Sequence, residues 1–254
     1  MSRVARLDPR RVSTASLSFR TPATASGTAM TAIAQRARTF QIMHSWYPST
    51  HPGMHSVARY AREVAYGAAF PAAVRPEVAA AVSIMPSSPL KPAAPFAARV
   101  DGQTVSIPYR IYNAEPAPLE VQRLSPTQQT VLACLYTRHH NGYVRQRHTE
   151  AVVRHALSWV CPFVVQLLGE YVVQIVLAVR SEMVDLDQPG TAIHTVYGDF
   201  AAANREFIAV TWQRATSYWN CYYRGQYADR RTYPSFPILA SLLTTAVQDQ
   251  GAAG

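Results

Sequence analysis

The stretch LSWVCPFVVQLLGEYVVQIVLAV, residues 157–179, decides the fold because almost every side chain in it is apolar. Its polar residues Gln166, Glu170 and Gln174 recur at intervals of four, so they share one face of a helix. We predict a nearly buried helix from about Val160 to Glu182. A carboxylate on such a narrow polar stripe is expected to pair with an arginine across a helical bundle.

The same stretch is long enough to cross a bilayer. Glu170 lies near its centre, where a carboxylate is costly, and Pro162 and Gly169 interrupt it. We therefore expect no membrane span. The three cysteines are odd in number and form no CxxC pair, so we expect buried free thiols and a cytoplasmic location.

Further helices are predicted on both sides of this stretch. Ser125, Pro126 and Gln128 match a capping box that begins a helix, and Asn141-Gly142 is predicted to end that helix. After it, helical periodicity is predicted over residues 143–156, 192–203, 206–223 and 237–247.

The first half of the chain carries weaker signals. Two short helices are predicted at 52–70 and 76–84, followed by a proline-rich linker at 85–95 and a β-hairpin that turns at Asp101-Gly102. The predicted fold is mainly α: a helical bundle with one small β-hairpin. The expected organisation is a disordered basic tail at 1–39, the short helices, linker and hairpin at 40–123, and the helical bundle at 124–254.

The formal net charge of +9 is unevenly distributed. Residues 1–39 hold seven arginines against Asp8 alone, and this composition predicts a disordered segment whose deletion leaves the melting temperature unchanged. An over-extended reading frame, with translation starting near Met30 or Met43, explains the segment better than a mitochondrial import signal. The remaining residues carry only +3, which is weak evidence for polyanion binding.

Residues 212–236 combine five tyrosines, two tryptophans and one phenylalanine with four arginines. One interpretation is a helix that buries the stripe of Ile208, Trp212, Ala215, Trp219 and Tyr222 in the core. The alternative is a platform on which bases of single-stranded nucleic acid stack. The candidate contacts to a polyanion or a protein partner are Arg145, Arg147, Tyr223, Arg224, Tyr227, Arg230 and Arg231.

The sequence contains none of the glycine-rich, HExxH or GxSxG motifs of common enzymes. The best metal candidates are His139, His140, His148 and His155, but histidines beside arginines on an amphipathic helix are usually surface groups or caps. Glu170 with His155 could form an acid–base pair, and nothing makes that pair specific. We expect no catalytic, cofactor or metal residues and no cofactor, and we lean against an enzyme.

Two short segments resemble known sequences. GEYVVQI at 169–175 and SYWNCYY at 217–223 are similar to uncharacterised proteins of high-GC bacteria, a resemblance that implies no known activity. Residues 141–145, with the apolar segment that begins at Trp159, resemble one unit of a HEAT-type helical repeat, and no second copy follows. The expected function is a non-enzymatic protein-interaction or scaffolding role with a protein partner. A nucleic-acid-binding module with an Arg/Tyr-rich surface is the alternative, and an enzyme of unknown type is third.

Overall fold

The computed structural model describes residues 63–252, with side chains described as far as residue 246. All of these residues belong to one compact unit, Pro52–Gly254. The predicted tail at 1–39 and most of the helix predicted at 52–70 lie outside the described residues. The part of the chain that is described is mainly helical with one two-stranded antiparallel sheet, which confirms the predicted fold class.

The β-hairpin forms as the turn signal predicts. Strand β1 (Pro95–Val100) pairs with β2 (Gln103–Pro108), and Val100 lies opposite Gln103. The two turn residues Asp101 and Gly102 therefore connect the strands alone, with φ angles of 50° and 74°. Positive φ at both central positions is the requirement of the type I′ turn, which fits the right-handed twist of the strands.

Helices make up most of the rest of the described chain. Residues 63–67 are helical, and a 3₁₀ turn at Ala72–Val74 leads into the next helix. The α-helices that follow are α1 (Arg75–Ser83), α2 (Pro118–Gln122), α3 (Pro126–Tyr136), α4 (Gly142–Val152), α5 (Cys161–Leu167), α6 (Val173–Glu182), α7 (Ala192–Ala203), α8 (Arg205–Tyr218) and α9 (Ser235–Ala252). A π-helical turn at Trp219–Tyr223 continues α8, and a 3₁₀ turn at Arg230–Thr232 precedes α9.

Capping explains where α3 and α4 begin. The Ser125 hydroxyl accepts from the backbone N–H of Gln128, and the Gln128 side chain accepts from the N–H of Ser125, so the predicted capping box is confirmed. The prediction for Asn141-Gly142 is wrong. Helix α3 already ends at Tyr136, and the Asn141 side chain accepts from the N–H of Tyr143 at 2.9 Å, so Asn141 caps the start of α4.

The single helix predicted from Val160 to Glu182 is also wrong. It is divided into α5 and α6 by a non-helical connection at residues 168–172. Gly169 lies so close to α8 that a Cβ atom there would come within 3.2 Å of Arg214 Cβ and 3.3 Å of the Thr211 carbonyl oxygen. The glycine therefore allows the connection to pack directly against α8, a tertiary contact that helical periodicity does not reveal.

One apolar core runs through the described residues. All seven residues of α5 are buried, and the hairpin contributes Val100, Val105 and Ile107 to the same core. Helices α1 and α4 pack on α3, and α9 packs on α7. Because the hairpin shares this core with the helices, its strands are held by the helical bundle. No helix of the described part is both long and apolar enough to cross a membrane.

Candidate functional site

A buried carboxylate organises the centre of the molecule. Glu170 is only 2% exposed and forms ion pairs with three arginines: Arg110 at 2.8 Å, Arg138 at 3.4 Å and Arg145 at 3.5 Å. We call these four residues the Glu170 cluster. The expectation that Glu170 pairs with an arginine across the bundle is confirmed, with three partners.

Four separate parts of the fold supply the Glu170 cluster. Arg110 follows β2, Arg138 lies between α3 and α4, Arg145 is in α4, and Glu170 lies in the connection between α5 and α6. The arginines also bind backbone carbonyl oxygens near them. Arg145 donates to the carbonyls of residues 139 and 140, and Arg138 donates to that of residue 109. The cluster therefore joins the hairpin to the break in the apolar stretch.

Positive charge exceeds negative charge in the Glu170 cluster. Burial lowers the pKa of the Arg138 guanidinium to about 10, against the opposing effect of Glu170, so Arg138 remains charged at neutral pH. Nε and Nη1 of Arg138 and Nε of Arg145 are buried and have no acceptor among the described residues. Buried guanidinium donors without acceptors are uncommon in proteins, and they leave the cluster with positive charge that its one carboxylate does not balance.

Hydroxyl groups from the aromatic-rich residues 212–236 form hydrogen bonds with the backbone around the break between α5 and α6. Ser235 Oγ donates to the carbonyl oxygen of Leu168 at 2.7 Å. The Tyr223 hydroxyl donates to the carbonyl of Tyr171 at 2.7 Å and accepts from the N–H of Val173 at 3.3 Å. These bonds replace part of the helical hydrogen bonding that is lost between α5 and α6.

The predicted polyanion or partner contacts divide into three groups by burial. Arg145 is 1% exposed, so its assignment as a surface contact is wrong: the guanidinium is used by Glu170 and by backbone carbonyls. Tyr223 and Tyr227 are half-buried and pack against the core. The exposed members are Arg147, Arg224, Arg230 and Arg231.

Two of the exposed arginines are already paired with carboxylates. Arg147 binds Glu115 at 2.5 Å, and Arg231 binds Asp229 at 2.8 Å. Arg224 stacks over the Trp219 ring and Arg230 over the Phe236 ring, at 5.4 and 5.3 Å from the ring centroids. Planar guanidinium groups lie well on aromatic faces, so these side chains also cover apolar surface.

The aromatic stripe of α8 is buried only in part. Ile208 and Ala215 are fully buried, Trp212 and Trp219 are half-buried against the core, and Tyr222 is 70% exposed. Tyr222 lies in the π-helical turn Trp219–Tyr223. A π turn uses more residues per turn than an α-helix, so it rotates later residues off the stripe, and such turns are frequent at functional sites.

A surface of tyrosines and arginines lies beside the Glu170 cluster. The Tyr109 ring carries the guanidinium of Arg110 at 4.5 Å and that of Arg214 at 5.0 Å. The Tyr218 ring lies 6.1 Å from that of Tyr171 and 6.4 Å from that of Tyr222. We call this surface the tyrosine–arginine face, and it consists of Tyr109, Arg110, Tyr171, Arg214, Tyr218 and Tyr222.

Residues of the face and of the Glu170 cluster influence the pKa of Tyr218. Burial raises the pKa of the Tyr218 phenol; Tyr109 and Glu170 raise it further, while Arg214 and Arg110 lower it. Arg214 and Tyr218 are four residues apart in α8, so their side chains share one face of that helix. Tyr171 and Tyr222 are 50% and 70% exposed, so the tyrosine part of the face is open to solvent, whereas the side chain of Arg110 is only 14% exposed.

An apolar groove of about 630 Å³ lies on the hairpin side of the molecule. Its wall is formed by the helical turn at 63–67, the proline-rich segment and the end of β2. We define the apolar groove by Val64, Ala68, Leu90, Lys91, Pro92 and Pro108, with Tyr66 and Asn113 in its wall. Val64 and Leu90 are 55% and 59% exposed, so the groove presents apolar side chains to solvent.

Polar groups in the wall of the apolar groove bind one another. The Tyr66 hydroxyl donates to Asn113 Oδ1 at 2.6 Å, and Asn113 Nδ2 donates to the carbonyl of Pro86 at 2.8 Å. The N–H of Ser106 donates to the carbonyl of Ala68 at 2.7 Å. The groove therefore offers apolar surface with few polar groups left to satisfy.

The histidines have structural contacts. The ring of His148 stacks on Tyr136 and lies 2.9 Å from Glu115, while the rings of His139 and His140 are 4.2 Å apart. Within residues 63–246, no three His, Cys, Asp or Glu side chains converge in a way that could hold a metal ion.

The cysteines do not all follow the expectation of buried thiols. Cys134 and Cys161 are buried, and burial raises the pKa of both thiols, which makes them poor nucleophiles. Cys221 is exposed, and it lies in the π-helical turn beside Tyr222.

Sequence reasoning found Glu170 but missed two features of the sites. The apolar groove was missed because the proline-rich segment was interpreted as a linker, without considering what it packs beside. The tyrosine–arginine face joins residues from the hairpin, the α5–α6 connection and α8. Comparison with models of protein families, with curated proteins and with solved structures gave no match.

Proposed function

We propose that the chain is a non-enzymatic protein-interaction or scaffolding protein whose apolar groove binds an apolar, acidic segment of a partner protein. The observation that carries this proposal is the exposure of Val64 and Leu90 beside a wall whose polar groups bind one another. Covering such a surface gains free energy from apolar burial and leaves few polar groups without a hydrogen bond.

Charge supports the acidic character of the partner. Lys91, the single lysine of the chain, is exposed at the groove. The described lining contains no acidic residue that could neutralise Lys91 from within the groove. A carboxylate of the partner beside Lys91 would fix the direction in which the segment binds, since charge complementarity mainly provides specificity.

The composition of the groove favours binding over catalysis. Its described lining residues include no carboxylate, imidazole or thiol, and of its two titratable side chains, Tyr66 and Lys91, the first donates its hydroxyl hydrogen to Asn113. The groove resembles the apolar, sparsely polar sites that proteins use for recognition.

The nucleic-acid alternative remains second. Of the seven predicted contacts, Arg145 is buried, Tyr223 and Tyr227 are half-buried, and Arg147 and Arg231 are paired with carboxylates. Phosphate binding there would have to displace those ion pairs, and the chain beyond residue 39 carries only +3. An enzyme of unknown type remains third.

The test uses a matched pair of leucine variants. Leu90 lines the groove, whereas Leu119 is 69% exposed and is not part of it, so Leu90→Asp and Leu119→Asp make the same change in two places. Linear peptides selected from a display library against the full chain are titrated against both variants by calorimetry. We expect apolar peptides with an acidic residue that bind the wild type and Leu119→Asp, and that lose about tenfold in affinity with Leu90→Asp.

Lys91→Glu separates charge from apolar contact. It should weaken the same peptides and favour versions in which the acidic residue is changed to lysine. Peptides that bind both leucine variants equally, or a library that yields no groove-dependent binder, would overturn the proposal. Selection of an apolar small molecule over any peptide would also overturn it, because the groove would then be a ligand pocket.

A further inference from the structure

We propose that the tyrosine–arginine face binds a small phosphate monoester carried on a planar ring, at a site separate from the apolar groove. The site is built by Arg110 and Arg214 around the Tyr109 ring and by the tyrosines 171, 218 and 222 beside them.

Unbalanced charge is the first argument. The face and the cluster behind it contain four guanidinium groups: those of Arg110, Arg138, Arg145 and Arg214. Among the described residues, Glu170 is the carboxylate that pairs with the first three, and Arg214 forms no ion pair. Three positive charges therefore remain without a carboxylate. A dianionic phosphate matches this excess better than a carboxylate does.

Unused donors are the second argument. Arg138 is fully buried, yet its Nε and Nη1 have no acceptor among the described residues. Nε of Arg145 is also buried and also has no acceptor among them. Their positive potential is weakly screened because solvent does not reach them. That potential adds to the charge of Arg110, which pairs with the same Glu170 carboxylate and has a side chain that is 14% exposed.

The tyrosines supply the ring specificity. Tyr171 and Tyr222 are exposed, each next to the half-buried Tyr218, and the rings of Tyr218 and Tyr222 are stacked with an interplanar angle of 26°. The exposed ring of Tyr222, which is stacked on Tyr218, can stack a planar ring while the nearby arginines bind its phosphate. The π-helical turn is what places Tyr222 there, since it removes Tyr222 from the buried stripe.

The shared chemistry, a ring with a phosphate monoester, can come from an aryl phosphate or from a nucleoside monophosphate. Calorimetric titration of the full chain therefore uses four probes: phenyl phosphate, adenosine monophosphate, inorganic phosphate and phenol. We expect both ring phosphates to bind at least about tenfold more tightly than inorganic phosphate or phenol. The tighter of the two ring phosphates identifies the source.

Two variants test the assigned residues. Arg214→Gln removes one guanidinium, and Tyr222→Ala removes an exposed ring that contributes little to the core, so this variant is expected to fold. Each should weaken phenyl phosphate binding about tenfold, with Arg214→Gln also reducing the dependence on salt. The matched control is Arg224→Gln, an exposed arginine that stacks on Trp219 outside the face, and it should bind like the wild type.

Three outcomes would overturn the inference. Equal binding of inorganic phosphate and phenyl phosphate would show attraction by charge alone. Equal loss in Arg214→Gln and Arg224→Gln would show that no particular arginine builds a site. Absence of measurable binding by any of the four probes would remove the site altogether. Each of these results leaves the peptide experiment on the apolar groove unaffected.

Discussion

The Glu170 cluster and the segment 219–231 use the same residue types in opposite ways. In the cluster, Arg138 and Arg145 are buried and share one carboxylate. In the segment, Arg224, Arg230 and Arg231 are exposed and interact with neighbouring rings or with Asp229. The difference shows that the position of a carboxylate in the core decides whether an arginine is a structural group or a surface group.

The largest effect should come from Glu170→Gln. It keeps the shape of the side chain but leaves three guanidinium groups without a counter-charge, two of them fully buried. Breaking a buried ion pair by removing one partner costs about 3–5 kcal/mol of the free energy of unfolding. Urea denaturation followed by circular dichroism measures the loss.

Asp229→Asn is the matched control, since it makes the same carboxylate-to-amide change in the exposed segment. Asp229 pairs with Arg231 and accepts from the N–H of Arg231, and asparagine caps this position nearly as well. Its midpoint of denaturation should stay at the wild-type value. Equal losses in the two variants would contradict the distinction between a buried and an exposed arginine site.

A smaller effect is expected for Trp219→Ala, at the point where the exposed segment meets the core. Trp219 is half-buried, and its Nε1 donates to the carbonyl of Tyr227 at 2.8 Å. Because only part of the ring is buried, we expect a cost of about 2 kcal/mol, below the range for a fully buried tryptophan. Calorimetric scans of both variants measure the difference. Tyr222 is 70% exposed, so the Tyr222→Ala variant should have a melting temperature within about one or two degrees of the wild type.

The smallest effect is a pH dependence at His148, a half-buried residue beside the exposed Arg147. Arg147 shares Glu115 with the ring of His148. Burial lowers the pKa of His148 below 6.5, although Glu115 opposes this effect. The unfolded chain therefore binds the proton more readily, and the folded state loses stability as the pH falls below about 7 toward the pKa of the folded state.

The pKa of Glu115 is also lowered: burial raises it, but hydrogen bonds from His148 and Arg147 lower it more. Its contribution is present above pH 4.5 and is lost as the pH falls through the lowered value, so the two groups titrate in different ranges. Melting temperatures measured between pH 7.5 and 5.5 should fall by a few degrees in the wild type and by less in His148→Gln. An identical slope in the two proteins would remove His148 as the cause.

The elements that local rules govern were predicted well. The turn at Asp101-Gly102 and the capping box at Ser125 depend on neighbouring residues, and helix α7 has the predicted bounds of residues 192–203. The break at Gly169 could not be predicted from helical spacing, because its cause is the close approach of Thr211 and Arg214 in α8. The exposure of Tyr222 depends on the π-helical turn, for which the aromatic periodicity gave no signal.

The sequence by itself determined the mainly helical class, the hairpin turn, the helix cap at Ser125 and the pairing of Glu170 with arginine. Each of these follows from the conformational preferences of a few adjacent residues or from the cost of burying a lone charge. Only the tertiary structure decided which arginines pair with Glu170, where the apolar stretch divides, and which tyrosines reach the surface. The first two features depend on contacts between residues 25 to 60 positions apart, such as the pairs of Glu170 with Arg145 and Arg110, and no local pattern encodes such distances. The exposure of Tyr222 depends on the π-helical turn, which the aromatic spacing does not reveal.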